Sequence, residues 1–410
     1  RMLFETVNET DQFALLPDSL AQMSRQLAID YSYQTRLKYE QEQLEEIDTA
    51  FLTSINQRIF DIAQTQELLN TYIAQQYPYV KSSKEDLGVI ELKEAKVYSE
   101  KRQIIEFFWG ESNIYVLGIS GGSVNFMEVR VDSSLLGHLE TFSLMLRKAV
   151  PDPFDEQAFN TFHESAYVLY KHVLAPIVQK DQSSILIIPD GPLNAIPFEA
   201  LISSPYQHKD INYKALDYLI NSYEIGYDHS LSLAFEDQMS PEVIDDPSIL
   251  AVGFSSEEDV ETAKSTRSAG IELPGTTQEI SAISEFLADG DYLLGNEASE
   301  SFFIEHGSDY DILHLAIHGM GDEQQRLGSK LIFKSPSQGY DSLYAYEMFN
   351  MNLQAKLAVL SACETGVGKL QKGEGVFNLA RSFTYAGCPS VVMSLWKIND
   401  NVSAQLMLSL

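Results

Sequence analysis

The chain has 410 residues, 44% of them hydrophobic and 21% charged, and 59 acidic against 28 basic side chains give a formal charge of −31. These are globular values in a length that exceeds one ordinary core, so two domains, or one large domain with an appendage, are expected. The charge opposes a phosphate backbone and excludes generic nucleic-acid binding, whereas it would attract basic peptide segments over a Debye length of about 10 Å at 0.1 M salt.

Cys363 and Cys388 are the two cysteines. They are too few for a disulfide framework, which points to a reducing, cytoplasmic setting, although one bridge between them stays open. No apolar run of about 18 residues occurs, so no membrane span is expected. The first residue is Arg1 rather than methionine, which reads as a fragment of a longer protein.

From Asp11 to about Gln76 there is no internal glycine, and Leu16, Leu20, Met23 and Leu27, then Phe51, Ile55, Ile59, Ile62 and Leu69, recur at helical steps. The acidic stretch Tyr39 to Asp48 between them reads as a solvated helix face. Helices of this kind could close a helical array lying upstream. Tyr77-Pro78-Tyr79 breaks the pattern and Lys81 to Asp86 is polar, so a boundary is expected near residue 85. This divides a helical connector, 1–85, from a main domain, 86–410.

Beyond it, two β-rich runs, Asn113 to Ile119 and Ser123 to Val129, flank Ser120-Gly121-Gly122 as a hairpin. Short strands are then expected at Ile185 to Pro189, Ile249 to Phe254, Ile312 to Ile317, Lys356 to Leu360 and Ser390 to Ser394. They alternate with helices at about Glu156 to Val178, Thr276 to Leu287, Glu300 to His306 and Gly375 to Ala386. Such alternation predicts an α/β fold with a mainly parallel sheet flanked by helices. In such sheets ligands bind beyond the carboxyl ends of the strands.

Two of those ends carry reactive residues. The run ending at Ile317 stops at His318-Gly319, and the run ending at Ala362 stops at Cys363-Glu364-Thr365-Gly366. Neighbouring parallel strands about 4.8 Å apart would bring the two ends within side-chain reach. A thiol needs such a base, because free cysteine, with a pKa near 8.5, is mostly protonated at neutral pH. The backbone N–H groups of Gly319 and Cys363 could then hold a tetrahedral oxyanion, which makes amide or ester cleavage the reaction class. The plainer reading is a small buried thiol and a hydrogen-bonded histidine, and the residues alone leave both open.

His318 and Cys363 stand 45 residues apart, and caspases pair an Ala-Cys with a histidine about 50 residues upstream. The runs Leu313-His-Leu-Ala-Ile-His-Gly319, Leu360-Ser-Ala-Cys-Glu-Thr-Gly366, Gly373-Glu-Gly375 and Ala386-Gly-Cys-Pro-Ser-Val-Val-Met-Ser-Leu-Trp396 resemble those of CHAT domains. These are bacterial relatives of caspases, separases and gingipains, usually found beside tetratricopeptide (TPR) repeats. Ile188-Pro-Asp-Gly-Pro-Leu-Asn-Ala-Ile-Pro-Phe-Glu-Ala-Leu201 is similar to the family's upstream half, so the resemblance spans roughly residues 100 to 410.

The resemblance implies a caspase-like three-layer sandwich and a cysteine endopeptidase needing no cofactor. Cys363 would be its nucleophile, His318 its general base and Gly319 an oxyanion donor. It also implies control by a protein or ribonucleoprotein partner acting through upstream helices or repeats. A catalytically silent caspase-like scaffold is the alternative, and retention of both His318 and Cys363 favours the enzyme. The family continues past the Trp396 region through a helix to a final strand, so the domain is expected to extend beyond Leu410.

The remaining polar residues carry two readings each. Asp400, four positions after Trp396, corresponds to the separase aspartate that binds the arginine preceding the scissile bond, or it caps the next helix. Asp190, before Gly191-Pro192, could orient the base or line the substrate cleft, or it starts a turn. Cys388 reads as core or turn geometry. On a strand, His314 and His318 lie about 13 Å apart, too far to share a metal ion, so His314 reads as a buried structural histidine. Glu364 is expected to face away from the thiol. Gly366, Gly368 and Lys369 lack the Walker spacing, and Gly373-Glu374-Gly375 reads as a turn before a helix.

Overall fold

The computed structural model describes residues 17–42, 48–76, 90–147, 155–179, 182–208, 210–232, 234–235, 244–257, 259, 272–287, 289–320, 329–335, 339–348, 351–361, 369–371, 375–377, 379–395 and 400–407. The expected boundary near residue 85 lies outside them.

Two long helices come first, α1 (Asp18–Glu42) and α2 (Thr49–Gln76). Pro17, which cannot continue a helix backwards, precedes α1, and its carbonyl accepts from Leu20 N. Asp48 caps α2 by accepting from Phe51 N at 2.9 Å. The two helices pack on one another, burying Ile55 and Leu69. No helix among the described residues is long and apolar enough to cross a membrane.

The next helix, α3 (Leu92–Tyr98), leads into a five-stranded sheet built from β1 (Gln103–Trp109), β2 (Asn113–Ser120), β3 (Ser123–Arg130), β4 (Ser184–Ile188) and β5 (Glu224–Tyr227). Its order is β3-β2-β1-β4-β5. The β2–β3 turn uses Gly121 and Gly122 at φ 52° and 84°, left-handed values that glycine adopts without Cβ strain. Helices α4 (Ser133–Arg147) and α5 (Glu156–Leu169), the latter continued by a π-helical turn over Tyr170–Leu174, stand between β3 and β4 in sequence. Phe142, Phe159, Phe162, Ile105, Ile187 and Phe198 lie in the core that they close.

The second sheet is wholly parallel. It contains β6 (Ile249–Gly253), β7 (Gly290–Leu294), β8 (Ile312–Ala316), β12 (Leu357–Leu360) and β15 (Ser390–Met393), in the order β15-β12-β8-β6-β7. All five residues of β6 are buried, as expected of a strand covered on both faces. Ile249 and Ala251 cluster with Ile280 of α6 (Pro274–Phe286) on one face. Leu250 and Val252 join Phe303 of α7 (Glu300–His306), Met348 of α8 (Ala345–Met348) and Phe383 of α9 (Leu379–Tyr385) on the other. The last helix, α10 (Asp400–Met407), packs on α6, and α1 lies against α8. A small antiparallel sheet, β9 (His318–Met320), β10 (Lys330–Lys334) and β11 (Tyr340–Tyr344), starts two residues after β8 ends.

The α/β fold with a parallel sheet between helix layers and a helical amino-terminal segment is as the sequence predicts. Two details differ. The strand near Ile185 does not join the other four, because β1 and β5 occupy both of its edges. The helix expected from Gly375 begins only at Leu379. Gly375–Phe377 is instead β14, paired with β13 (Lys369–Gln371), since Gly375 is a poor helix former and Val376 and Phe377 suit a strand.

Candidate active site

The two strand ends singled out in the sequence are neighbours. β8 and β12 pair in parallel, Ile312 with Leu357 and Leu315 with Leu360, a constant offset of 45 residues. His318 opens β9 just beyond β8 and is partly exposed, and the buried Gly319 follows it opposite Leu331. Cys363, Glu364 and Trp396 lie outside the described residues. Of Asp400 the backbone is described, as the first residue of α10. That helix reaches the end of β12, because Ser403 Oγ and Ser361 Oγ are 3.3 Å apart.

A third strand end, which the sequence reading passed over, meets His318. Phe254 follows β6, and its N–H donates to Ala316 O at 2.9 Å, extending the ladder to the level where β8 finishes. Its ring is 1% exposed and stands at 78° to the His318 imidazole, with centroids 4.4 Å apart. Tyr340 stacks on the Phe254 ring at 14° and 5.8 Å. The Lys334 ammonium lies 5.4 Å from the centroid of Phe254.

Lys334 is itself buried, and its Nζ is 2.8 Å from Asp259 and 3.0 Å from Glu272. Ser256 donates to Asp259 through both N–H and Oγ, and Ser255 Oγ donates to Glu272 at 2.6 Å. Burial pushes the Asp259 carboxyl up, but the hydrogen bonds from Lys334 and Ser256 outweigh it and hold the group below its ordinary value. One could have suspected Phe254 from its place at a strand end. Lys334 gives no local signal, because its carboxylates come from a distant part of the chain.

Asp190 caps the turn Gly191–Ala195. Its Oδ1 accepts from Gly191 N and its Oδ2 from Trp109 N, both at 2.8 Å. Gly191 takes φ 60°, and a Cβ there would come within 2.6 Å of the Trp109 ring. The same turn lies against β13 and β14, the two strands that follow Cys363 in sequence.

His314 is 5% exposed, on the α6 side of the sheet, and its Nε2 lies 2.6 Å from Glu279 Oε1, itself 1% exposed. Among the described residues no cluster of His, Cys, Asp and Glu could hold a metal ion. Cys388 is fully buried in the second core, and burial pushes its thiol up to about 12. It should therefore stay protonated and inert: iodoacetamide at pH 8 is expected to leave Cys388 unlabelled in the folded protein and to modify it once guanidinium unfolds the chain. Peptide mass mapping reads both states, and labelling of folded Cys388 would contradict its burial.

No curated protein sequence matches the chain. A family model for the CHAT domain matches residues 163–410, more than half of the chain, from within α5 through the second sheet to the last residue. Its caspase-like architecture agrees with the parallel sheet, the strand-end histidine and the flanking helices described above. The chain belongs to the CHAT domain family.

Proposed function

We propose that this chain is a cysteine endopeptidase in which Cys363 attacks the scissile carbonyl and His318 is the general base. The observation that carries the reading is the register: β8 and β12 are offset by 45 residues, the spacing of His318 and Cys363 in the sequence. Transfer of the thiol proton to His318 generates the thiolate, and its sulfur forms a bond to the carbonyl carbon. The N–H groups of Gly319 and Cys363 would stabilise the resulting oxyanion. Collapse breaks the C–N bond, with the imidazolium protonating the departing amine. Water, deprotonated by His318, then cleaves the thioester.

Asp400, with Trp396 and Asp190 alongside, is assigned to the pocket for a basic residue before the scissile bond. Contact between α10 and the end of β12 supports this, as does the net negative charge. We extend the peptidase domain back to about residue 86, because β1, β2 and β3 share one sheet with β4 and β5 inside the matched range. We assign residues 1–85 to a connector through which TPR repeats or a protein or ribonucleoprotein partner would govern the site in the cytoplasm.

The test uses fluorogenic peptides that differ only in the residue before the scissile bond, with the activating partner present. Arginine and lysine are expected to be preferred, and Asp400→Ala to lower kcat/KM for them by about 10²-fold through loss of a charge-assisted pair. A preference for apolar residues would sink the pocket assignment. Absence of cleavage at every peptide and protein offered would favour the silent scaffold.

A further inference from the structure

We propose that Phe254 is the positioning residue for the His318 imidazole, fixing the plane in which that ring is held. The inference rests on His318 being the base of Cys363 and adds to it the group that sets the base's orientation. A histidine ring turns about a broad torsion, so backbone placement alone does not fix the plane of the imidazole, nor the line along which its nitrogens point. A neighbouring ring can decide it. Phe254 meets His318 at 78° with centroids 4.4 Å apart, the perpendicular arrangement in which the electropositive edge of one ring lies on the negative face of the other.

Phe254 is itself held from several sides. Its N–H is tied to Ala316 O, its ring stacks on Tyr340, and the Lys334 ammonium lies near the ring. Lys334 is in turn anchored by Asp259 and Glu272, and those carboxylates by Ser256 and Ser255. Among the described residues, Lys334, Asp259 and Glu272 are the charged groups gathered behind the ring. A phenyl ring secured in this way confines His318 without donating or accepting a hydrogen bond, and so without competing for the proton the imidazole must carry.

The experiment follows Cys363 alkylation by iodoacetamide between pH 5 and 9, by peptide mass mapping, together with kcat and KM on a cleaved peptide. In the wild type the rate should persist well below the ordinary thiol pKa of about 8.5, as an imidazole-paired thiolate requires. A wild-type profile like that of a free thiol would remove the dyad and this inference with it. Phe254→Leu keeps apolar bulk and removes the ring. It is expected to slow Cys363 alkylation at pH 6.5 about tenfold, one pKa unit's worth of thiolate, and to lower kcat to match with KM unchanged. If Phe254 only fills space, the variant will melt earlier while its folded fraction keeps the wild-type pH profile, and the proposal is overturned.

Should Phe254→Leu fail to fold, Tyr340→Leu carries the same test. Tyr340 is 49% exposed, so its loss is tolerable, and it removes the ring stacked on Phe254. A fall of about threefold in the pH 6.5 rate is expected. An unchanged profile in that variant would equally overturn the assignment.

Discussion

Cys363→Ala and His318→Ala are each expected to lower kcat/KM by about 10⁴-fold or more, with little change in thermal midpoint. The size follows from how nucleophile and base act: removing either member of such a unit costs nearly as much as removing both. No other thiol can take over, because Cys388 is buried in the core with its thiol pushed up to about 12. Folding should survive the second change, since His318 is partly exposed at the start of a three-residue strand.

The two variants should differ in their response to pH. His318→Ala retains a thiol that ionises by itself near pH 8.5, so its residual rate is expected to climb through pH 9. Cys363→Ala has no nucleophile to ionise and should stay flat. Initial rates on the preferred basic peptide across that range read both. Cleavage retained by Cys363→Ala would end the cysteine-peptidase reading, whatever the behaviour of His318→Ala.

How much of this was legible in the sequence varied with the range of the interactions involved. The strands β6, β8 and β12 are apolar apart from His314 because helices cover both faces of their sheet, and their runs stand out without any partner being known. The pairing of the strand ends was legible for a related reason. Parallel neighbours keep one offset along their length, so two reactive residues at equal distances past their strands differ by that offset in sequence. β1 was missed, since Gln103-Ile-Ile-Glu-Phe-Phe-Trp109 buries Gln103 and exposes Phe108, which obscures its alternation. β10 was missed because it begins and ends on lysine. Lys334 is tolerated inside only through carboxylates that the fold brings to it from before β7. His314 was recognisable as a buried histidine, but its partner Glu279 sits on a helix 35 residues away and nothing local announces the pair.

That pair carries the largest expected stability effect. Glu279 joins α6 to the central strand β8 in a region where both side chains are buried. Glu279→Leu leaves the His314 Nε2 without its partner in the apolar interior, and a loss of about 3–5 kcal/mol is expected for breaking such a pair from one side. Glu279→Leu combined with His314→Leu removes both polar groups and should recover a substantial part of that loss, so the two changes will be far from additive. Urea unfolding of the wild type, the two single variants and the double variant measures the coupling directly. Additive losses would mean that the contact stabilises nothing by itself. The consequence should reach the site, because α6 also supports α10, whose Ser403 meets Ser361 at the end of β12. Under conditions where Glu279→Leu is still folded, looser seating of α10 is expected to raise KM for basic peptides before it lowers kcat, since the start of that helix belongs to the proposed pocket.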